Sequence, residues 1–246
     1  MRKKLVVGNW KMNMTISETK DFLAQIKDKI DKKNDVAFCV PTISLESAIL
    51  SLKDIDIGIG VQNIHEKDSG AYTGETAAKM VKDAGATYAL VGHSERRQYF
   101  GETCEWVNLK AIQAIKHDLI PIICVGETET EREQGITSEL IKKQIKIAFL
   151  NIPNEDAIKC VIAYEPVWAI GTGKTATTEQ AEEVCKLIRE TIEELYGLET
   201  AQKIRILYGG SVNASNAKEL FSMENIDGGL VGGASLSLDF INITNA

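Results

Sequence analysis

Short apolar runs alternate with longer amphipathic stretches along the whole chain. Eight of these runs have the length and hydrophobicity of buried strands, and they lie at residues 5–10, 36–40, 57–62, 88–92, 120–125, 160–165, 204–208 and 228–231. Near-continuous hydrophobicity is typical of parallel strands that are covered on both faces. The pattern therefore predicts eight parallel strands.

Amphipathic helices are predicted between these runs. Thr15 and Glu18 have the spacing of a capping box, as do Thr177 and Gln180, so each pair marks the start of a helix. Three helices carry apolar positions on one face: Phe22, Leu23, Ile26 and Ile30; Ile141, Ile145, Ala148 and Phe149; and Ala181, Val184, Ile188 and Leu195.

The alternation of strands and helices determines the expected fold. Eight alternations in 246 residues leave about thirty residues for each, which is the size of a βα crossover unit. Such alternation predicts an α/β protein with a parallel sheet and outer helices. The number of units favours a closed (β/α)8 barrel over an open sheet. No linker-like segment interrupts the pattern, so residues 1–246 are expected to form a single domain.

The net charge and the cysteine content argue against several classes of protein. The net charge is −7, from 28 basic and 35 acidic side chains, and no basic patch stands out, which argues against nucleic-acid binding. Five cysteines form no Cys-x-x-Cys pair, which favours a reduced, cytoplasmic protein. The apolar run at 5–7 is too short for a signal peptide, and no run approaches the length of a membrane span.

In a barrel of this type the active site lies at the carboxyl ends of the strands. The side chains and glycines expected at this end can therefore be collected from the strand boundaries: Asn9, Lys11, Gln62, His93, Ser94, Glu95, Cys124, Glu127, Glu165, Ser211, Gly232 and Gly233.

Glu165 ends the sixth predicted strand, and a loop of eleven residues, 166–176, separates it from the helix that starts at Thr177. Pro166 biases Glu165 toward extended backbone. Loops of this length are usually lids, binding loops or disordered segments, and a stiff start followed by glycines favours a hinged lid. The predicted lid residues are Pro166, Val167, Trp168, Gly171, Gly173, Lys174, Thr175 and Ala176. A plain surface loop remains the alternative.

Two nucleotide-binding motifs fit this loop poorly. A Walker loop would need glycine where Trp168 stands. The spacing Gly171-x-Gly173-x-x-Ala176 matches a dinucleotide fingerprint weakly, because residues 165–170 separate it from the strand that it should follow directly. An NAD-dependent oxidoreductase is therefore an alternative with little support.

The strand-end residues combine the groups that enolisation beside a carbonyl requires. Glu165 is a candidate general base. His93 precedes a helix start at Ser94, where the positive end of the helix disfavours a protonated imidazole, so a neutral His93 can polarise a carbonyl. Lys11 supplies a positive charge for a developing oxyanion, and Asn9 can orient the same oxygen. His65 and His117 are expected to be hydrogen-bonded structural residues.

The remaining strand ends indicate phosphate rather than metal. Double glycines at 209–210 and 232–233 follow the last two strands, where barrels often bind phosphate. Three histidines and five cysteines are dispersed without the spacing of a zinc site. We therefore expect no metal and no cofactor.

Five long motifs, in this order, make the chain resemble the triosephosphate isomerase family over its full length. They are Gly8-Asn9-Trp10-Lys11-Met12-Asn13, Gly92-His93-Ser94-Glu95-Arg96-Arg97, the segment 163–174 around Tyr164-Glu165-Pro166-Val167-Trp168, Tyr208-Gly209-Gly210-Ser211-Val212, and Gly228-Gly229-Leu230-Val231-Gly232-Gly233-Ala234-Ser235.

The resemblance implies the interconversion of dihydroxyacetone phosphate and glyceraldehyde 3-phosphate, a reaction of glycolysis and gluconeogenesis. It implies that Glu165 shuttles a proton between two carbons, that His93 polarises the carbonyl, and that Lys11 and Asn9 stabilise negative charge. Glu95 and Cys124 would support the catalytic residues. Phosphate would bind at Gly171, Ser211, Gly232 and Gly233, under a closing lid.

The resemblance also implies a homodimer in which residues 62–75 of each chain, with Gln62 and Thr73, enter a pocket of the partner near Asn9 and Lys11. A barrel that binds a phosphorylated ligand without catalysing a reaction is the second hypothesis. It would need the glycine loops but not Lys11, His93 and Glu165 together.

Overall fold

A computed structural model of the chain describes residues 2–170 and 175–246, and it contains eight parallel strands in a closed barrel. The strands are β1 Leu5–Asn9, β2 Asp35–Val40, β3 Gly58–Val61, β4 Tyr88–Val91, β5 Ile120–Val125, β6 Val161–Tyr164, β7 Arg205–Tyr208 and β8 Gly228–Val231. They pair in chain order, and β8 returns to pair with β1. The predicted (β/α)8 barrel is confirmed, and every predicted strand end lies within one residue of the observed end.

Helices surround the barrel and connect its strands. Those in the described part of the chain are α1 Ile16–Ile26, α2 Leu45–Ser51, α3 Ala78–Asp83, α4 Ser94–Phe100, α5 Cys104–Lys116, α6 Glu129–Glu133, α7 Thr137–Ala148, α8 Asn154–Ala157, α9 Thr178–Tyr196, α10 Leu198–Ala201, α11 Ala217–Ser222 and α12 Phe240–Thr244. Short 3-10 helices occupy Thr42–Ser44, Val167–Ala169 and Gly233–Leu236.

Local sequence signals account for the starts of two of these helices. The hydroxyl of Thr15 accepts a hydrogen bond from the Glu18 N–H, and the Glu18 carboxylate accepts from the Thr15 N–H. Thr177 and Gln180 form the equivalent pair at α9. Both predicted capping boxes are confirmed. The prediction that Leu195 faces the core is wrong, because the buried face of α9 ends at Ile192 and Leu195 is 40% exposed.

The core has two layers, divided by the barrel wall. Alternate strand residues, such as Leu5 and Val7, fill the interior of the barrel. Their neighbours, such as Val6, pack outward against the surrounding helices. This alternation follows from the two-residue period of a strand, and it explains why the strands are apolar throughout.

Gly228 lies where β8 closes on β1. Its φ is +133°, and a Cβ built there would stand 1.9 Å from the carbonyl oxygen of Leu5, its pairing partner. Both the backbone conformation and the close approach exclude a side chain. Closure of the barrel therefore depends on a glycine at this position.

We expect Gly228→Ala to destabilise the protein by about 3 kcal/mol or more, since it adds left-handed strain to a steric clash with β1. Gly135→Ala is the matched control, because Gly135 also has a positive φ but has open space around its Cβ position. The control should cost only about 1 kcal/mol. Urea unfolding at one protein concentration measures both. Equal losses would show that the clash with β1 is relieved without cost.

Candidate active site

A cavity of about 350 Å³ opens at the carboxyl ends of the strands. Most of the predicted site residues line it: Asn9, Lys11, His93, Glu165, Ser211, Gly232 and Gly233. These residues come from the ends of five strands, β1, β4, β6, β7 and β8, that are distant in sequence. The barrel therefore brings the candidate base, the imidazole, the cation and the glycine turns to one place.

Glu165 directly follows β6 and is buried, with 2% of its surface exposed. One carboxylate oxygen lies 2.8 Å from Nε2 of His93, and the other accepts a hydrogen bond of 2.9 Å from the Ser94 N–H. Burial acts to raise the pKa of Glu165, but the contacts with His93 and the Ser94 N–H outweigh it and lower the pKa. Glu165 is therefore held as a carboxylate although it is buried.

His93 caps the N-terminus of α4. Its Nδ1 accepts a hydrogen bond of 3.2 Å from the Glu95 N–H, so the ring proton lies on Nε2 and is donated to Glu165. The predicted position at a helix start is confirmed. In this arrangement the imidazole is neutral for as long as Nδ1 accepts from the backbone.

Two neighbouring carboxylates also act on the charge of His93. Burial lowers the pKa of His93. The carboxylates of Glu165 and Glu95 have a larger, opposite effect, so the pKa lies above the ordinary value. The expectation that the helix end alone sets the charge of His93 is thus incomplete. The direct contact with Glu165 favours protonation, and a ligand that separated the two side chains would remove that influence.

Lys11 lines the same cavity and has a left-handed backbone, φ +52°. Such a conformation is uncommon for a residue with a side chain. The Asn9 side-chain oxygen accepts from the Lys11 N–H at 3.1 Å, and the Gln62 amide donates to the Lys11 carbonyl at 2.8 Å. The backbone of Lys11 is therefore fixed by two neighbouring side chains.

Glu95 and Cys124 both lie beside the candidate catalytic residues. A Glu95 carboxylate oxygen is 2.5 Å from the Lys11 ammonium, and its other oxygen is 3.7 Å from Nδ1 of His93. Cys124 is buried next to Glu165, and burial together with this carboxylate raises the pKa of its thiol well above the ordinary value. Cys124 is therefore an uncharged packing group in this structure.

The glycine turns after β7 and β8 form one wall of the cavity, and this wall is the predicted site of phosphate binding. Gly233 opens the 3-10 helix Gly233–Leu236, and a Cβ built on it would meet no heavy atom within 4 Å. A Cβ on Gly232 would lie 3.6 Å from Cε of Lys11. Ser211 lines the same wall. Gly171, the fourth expected phosphate contact, lies outside the described residues.

The start of the predicted lid is tied to the end of β5. The Trp168 indole donates to the Glu127 carboxylate at 2.8 Å, and the Tyr164 hydroxyl donates to the same oxygen at 3.0 Å. The Arg132 guanidinium lies 4.7 Å from the centre of the Trp168 ring. Pro166 and Val167 begin the short helix at this point.

Thr175 and Ala176 follow as irregular backbone before α9. Gly171, Gly173 and Lys174, which were also assigned to the lid, lie outside the described residues.

The segment 62–75 follows β3 at the same end of the barrel, and its exposed tip, residues 69–75, includes Thr73. Gln62 points toward its own site, since its amide contacts the carbonyls of Lys11 and Cys39. His65 accepts from the Lys67 N–H and stacks against Tyr72, while His117 contacts Asp68 at 2.5 Å. His65 and His117 are both hydrogen-bonded, as expected.

Two charged residues without a predicted role, Arg97 and Glu127, make contacts at the strand ends. The Arg97 guanidinium donates to the carbonyls of Gly92 and Cys124, and so joins the ends of β4 and β5. Glu127 is fully buried, and its carboxylate accepts the hydrogen bonds from Tyr164 and Trp168 at the start of the lid. Their positions at strand ends were the available signal. Within residues 2–170 and 175–246, no three His, Cys, Asp or Glu side chains are grouped to hold a metal ion.

Comparison with known proteins agrees with this geometry. The family model described as triosephosphate isomerase matches residues 4–246. Triosephosphate isomerase of Acetivibrio thermocellus is 55% identical over 97% of this chain and 95% of its own length. The enzymes of Clostridium novyi and Lactobacillus delbrueckii subsp. bulgaricus are 47% and 46% identical, over 100% and 97% of this chain and 99% and 95% of their own lengths. The chain belongs to the triosephosphate isomerase family.

Proposed function

We propose that the chain interconverts dihydroxyacetone phosphate and D-glyceraldehyde 3-phosphate through an enediol(ate), as an intramolecular oxidoreductase. The observation that carries the proposal is the buried carboxylate of Glu165, held 2.8 Å from a His93 nitrogen at the mouth of the barrel. A base beside a hydrogen-bond donor is the pair that moves a proton between two carbons while a carbonyl changes position. Membership of the family agrees with this activity.

Each step of the reaction can be assigned to a group in the cavity. Glu165 removes a proton from the carbon next to the carbonyl and returns it to the neighbouring carbon. His93 donates its Nε2 proton to the carbonyl oxygen and then exchanges protons with the two enediol oxygens. Lys11 and Asn9 stabilise the developing negative charge, which is the usual contribution of a fixed cation and an amide donor. Protein groups supply all of these functions, and we expect no cofactor.

The phosphate of the substrate occupies the wall formed by Ser211, Gly232 and Gly233, with Gly171 approaching from the lid. Glycines at such turns let backbone N–H groups come close to an anion. Closure of residues 166–176 would exclude water and protect the enediol phosphate from elimination. Because the phosphate is held at this wall, the reacting carbons of the substrate are positioned against Glu165.

Binding without catalysis is the weaker alternative. A carboxylate buried to 2% exposure is costly to keep charged, and phosphate binding alone does not require one. The oxidoreductase hypothesis rests on Gly171 and Gly173, and β6 ends at Tyr164, well before them. Isomerase activity is the function that uses all of the described groups.

The cellular setting follows from the proposed reaction. We place the enzyme in glycolysis and gluconeogenesis, in the cytoplasm, as a single barrel domain over residues 1–246. All five cysteines lie in the described part of the chain as free thiols, which suits a reducing compartment. None of the helices within residues 2–170 and 175–246 combines the length and hydrophobicity needed to cross a membrane.

A homodimer is the proposed assembly. The exposed tip around Thr73 projects beside a second cavity of about 520 Å³, which is lined in part by Asn9, Lys11 and Glu95. Met12 and Phe100 line the same cavity and are 95% and 64% exposed. Exposed apolar side chains that share one cavity are suited to contact with a partner. Insertion of each tip into the partner's cavity would cover them and would brace Lys11.

Replacing the base tests the proposed chemistry. We expect Glu165→Gln to lower kcat by roughly 10²–10⁴-fold, which is the usual contribution of a general base, because the amide cannot accept the proton. A coupled assay from glyceraldehyde 3-phosphate measures this loss. Circular dichroism and melting temperature should stay near those of the wild type. A correctly folded variant with near-normal kcat would contradict the assignment of Glu165.

The lowered pKa of Glu165 predicts the acid limit of the reaction. The base is active when deprotonated, so the titration of Glu165 should lower kcat/KM only below the ordinary glutamate value of 4.5. His93, whose pKa is raised, is the other group that can shape the acid side of the profile. The profile must be corrected for the fraction of substrate present as the phosphate dianion, since phosphate monoesters titrate near pH 6. A circular dichroism spectrum that stays unchanged over the same pH range excludes unfolding. A corrected acid limb centred above pH 5 that persists in His93→Gln, where no imidazole can titrate, would contradict this prediction.

Thr73→Arg tests the assembly. In the proposed dimer it places an unpaired charge in each partner's pocket, at a cost on the order of several kcal/mol each, so we expect monomers with reduced kcat. Light scattering and kcat on one sample measure both. Asn242→Arg, at an exposed position of α12, is the control for added charge and should leave both unchanged. A monomeric, fully active wild type at nanomolar concentration would overturn the dimer.

A further inference from the structure

We infer that Gln144, on α7, is a positioning residue for the candidate base Glu165 and for the start of the lid. It touches neither directly and acts through the peptide of Gly126, which lies between the ends of β5 and β6. The inference rests on the proposed isomerase function, since its main readout is the rate of that reaction.

The Gln144 amide makes two hydrogen bonds to one residue. Its oxygen accepts from the Gly126 N–H at 2.8 Å, and its nitrogen donates to the Gly126 carbonyl at 3.0 Å. The two bonds require opposite ends of the amide, so its orientation is fixed. Gln144 is 6% exposed and lies on the buried face of α7 that also carries Ile141, Ile145 and Ala148. A polar side chain on that face is there for its hydrogen bonds, because burial without them would be costly.

Gly126 packs directly against the backbone of Glu165. A Cβ built on Gly126 would stand 1.7 Å from the Glu165 carbonyl oxygen and 2.7 Å from its carbonyl carbon. The two peptides are thus in contact, with no space for a side chain between them. Any rotation of the Gly126 peptide would therefore push on the Glu165 peptide.

The residues on both sides of Gly126 hold the same neighbouring segment. The Val125 carbonyl accepts from the Glu165 N–H at 2.7 Å, and the Glu127 carbonyl accepts from the Val167 N–H at 3.0 Å. Residues 125–127 therefore set the backbone position of the base and of the first turn of the lid. Gln144 fixes the middle residue of this segment from a helix outside the barrel.

A purely structural role for Gln144 makes a different prediction from a positioning role. Asn108, on α5, provides the comparison, because it is also 6% exposed and its amide donates to two backbone carbonyls, those of Ala148 at 2.8 Å and Leu150 at 2.9 Å. Those carbonyls lie at the end of α7 and beyond it, and neither belongs to a residue that lines the active-site cavity. Loss of either amide should lower stability, but only loss of Gln144 should lower the rate.

The first experiment compares Gln144→Met with Asn108→Leu, which remove the hydrogen bonds while keeping the approximate volume. We expect both variants to melt a few degrees below the wild type. Gln144→Met should lower kcat by roughly 10-fold or more, because small misplacements of a catalytic group reduce rates steeply. Its KM should change by less than about threefold, because the variant leaves the phosphate-binding residues Ser211, Gly232 and Gly233 unaltered. Asn108→Leu should retain kcat and KM.

The second experiment uses Gln144→Glu, a conservative replacement whose hydrogen bonding changes with pH. When protonated, the introduced carboxyl can accept from the Gly126 N–H and donate to its carbonyl, as the amide does. When ionised, it has no proton to donate, and burial raises its pKa. The ratio of its kcat to that of the wild type should therefore rise as the pH falls from 9 to 5. The same ratio for Gln144→Met should not depend on pH.

The outcomes separate the two levels of the proposal. A wild type without isomerase activity would overturn the proposed function itself. An active wild type with a folded Gln144→Met variant of unchanged kcat would overturn only the positioning role. Equal losses of kcat in Gln144→Met and Asn108→Leu would assign Gln144 to stability alone. A kcat of Gln144→Glu that equals that of Gln144→Met from pH 9 to pH 5 would also contradict the positioning role.

Discussion

The hydrogen bonding of β8 to β1 is the constraint on which the site depends. The strands pair in chain order around a closed sheet, which fixes the tilt and register of each strand. The residues that follow each strand are therefore held at fixed positions around the open end of the barrel. Glu165 and His93 meet because β6 and β4 both end there, with β5 between them. Gly228 permits this closure locally, although it lies at the opposite end of β8 from Gly232.

Burial of charge at the mouth is balanced by backbone donors and neighbouring ions. The buried Glu165 has the Ser94 N–H and His93, while Lys11, which is only half-buried, has Glu95. An isolated buried ion would neutralise itself, whereas a hydrogen-bonded one can remain charged. The same arrangement couples the groups, so the pKa of Glu165 and that of His93 depend on their contact. A ligand that inserts between them changes both at once.

The fold and most of the site were predictable because they follow from short-range patterns. Strand ends are marked by where apolar runs stop, and in a barrel those ends converge whatever their distance in sequence. The positive φ of Lys11 was not predictable, since the Asn9 and Gln62 contacts that hold it arise only after β1 and β3 are neighbours. The direct contact of Glu165 with His93, and the reach of Gln144 to Gly126, likewise depend on tertiary packing that the linear pattern does not contain.

The closed sheet also limits how this chain can meet another protein. Each of its eight strands is paired on both sides, so the described sheet offers no row of free backbone groups to a passing strand. Association by strand addition, and the edge-to-edge aggregation that it invites, is thereby unavailable to the folded barrel. Contacts with other molecules must be made by side chains and loops, which is where variation in sequence can change specificity without disturbing the strands.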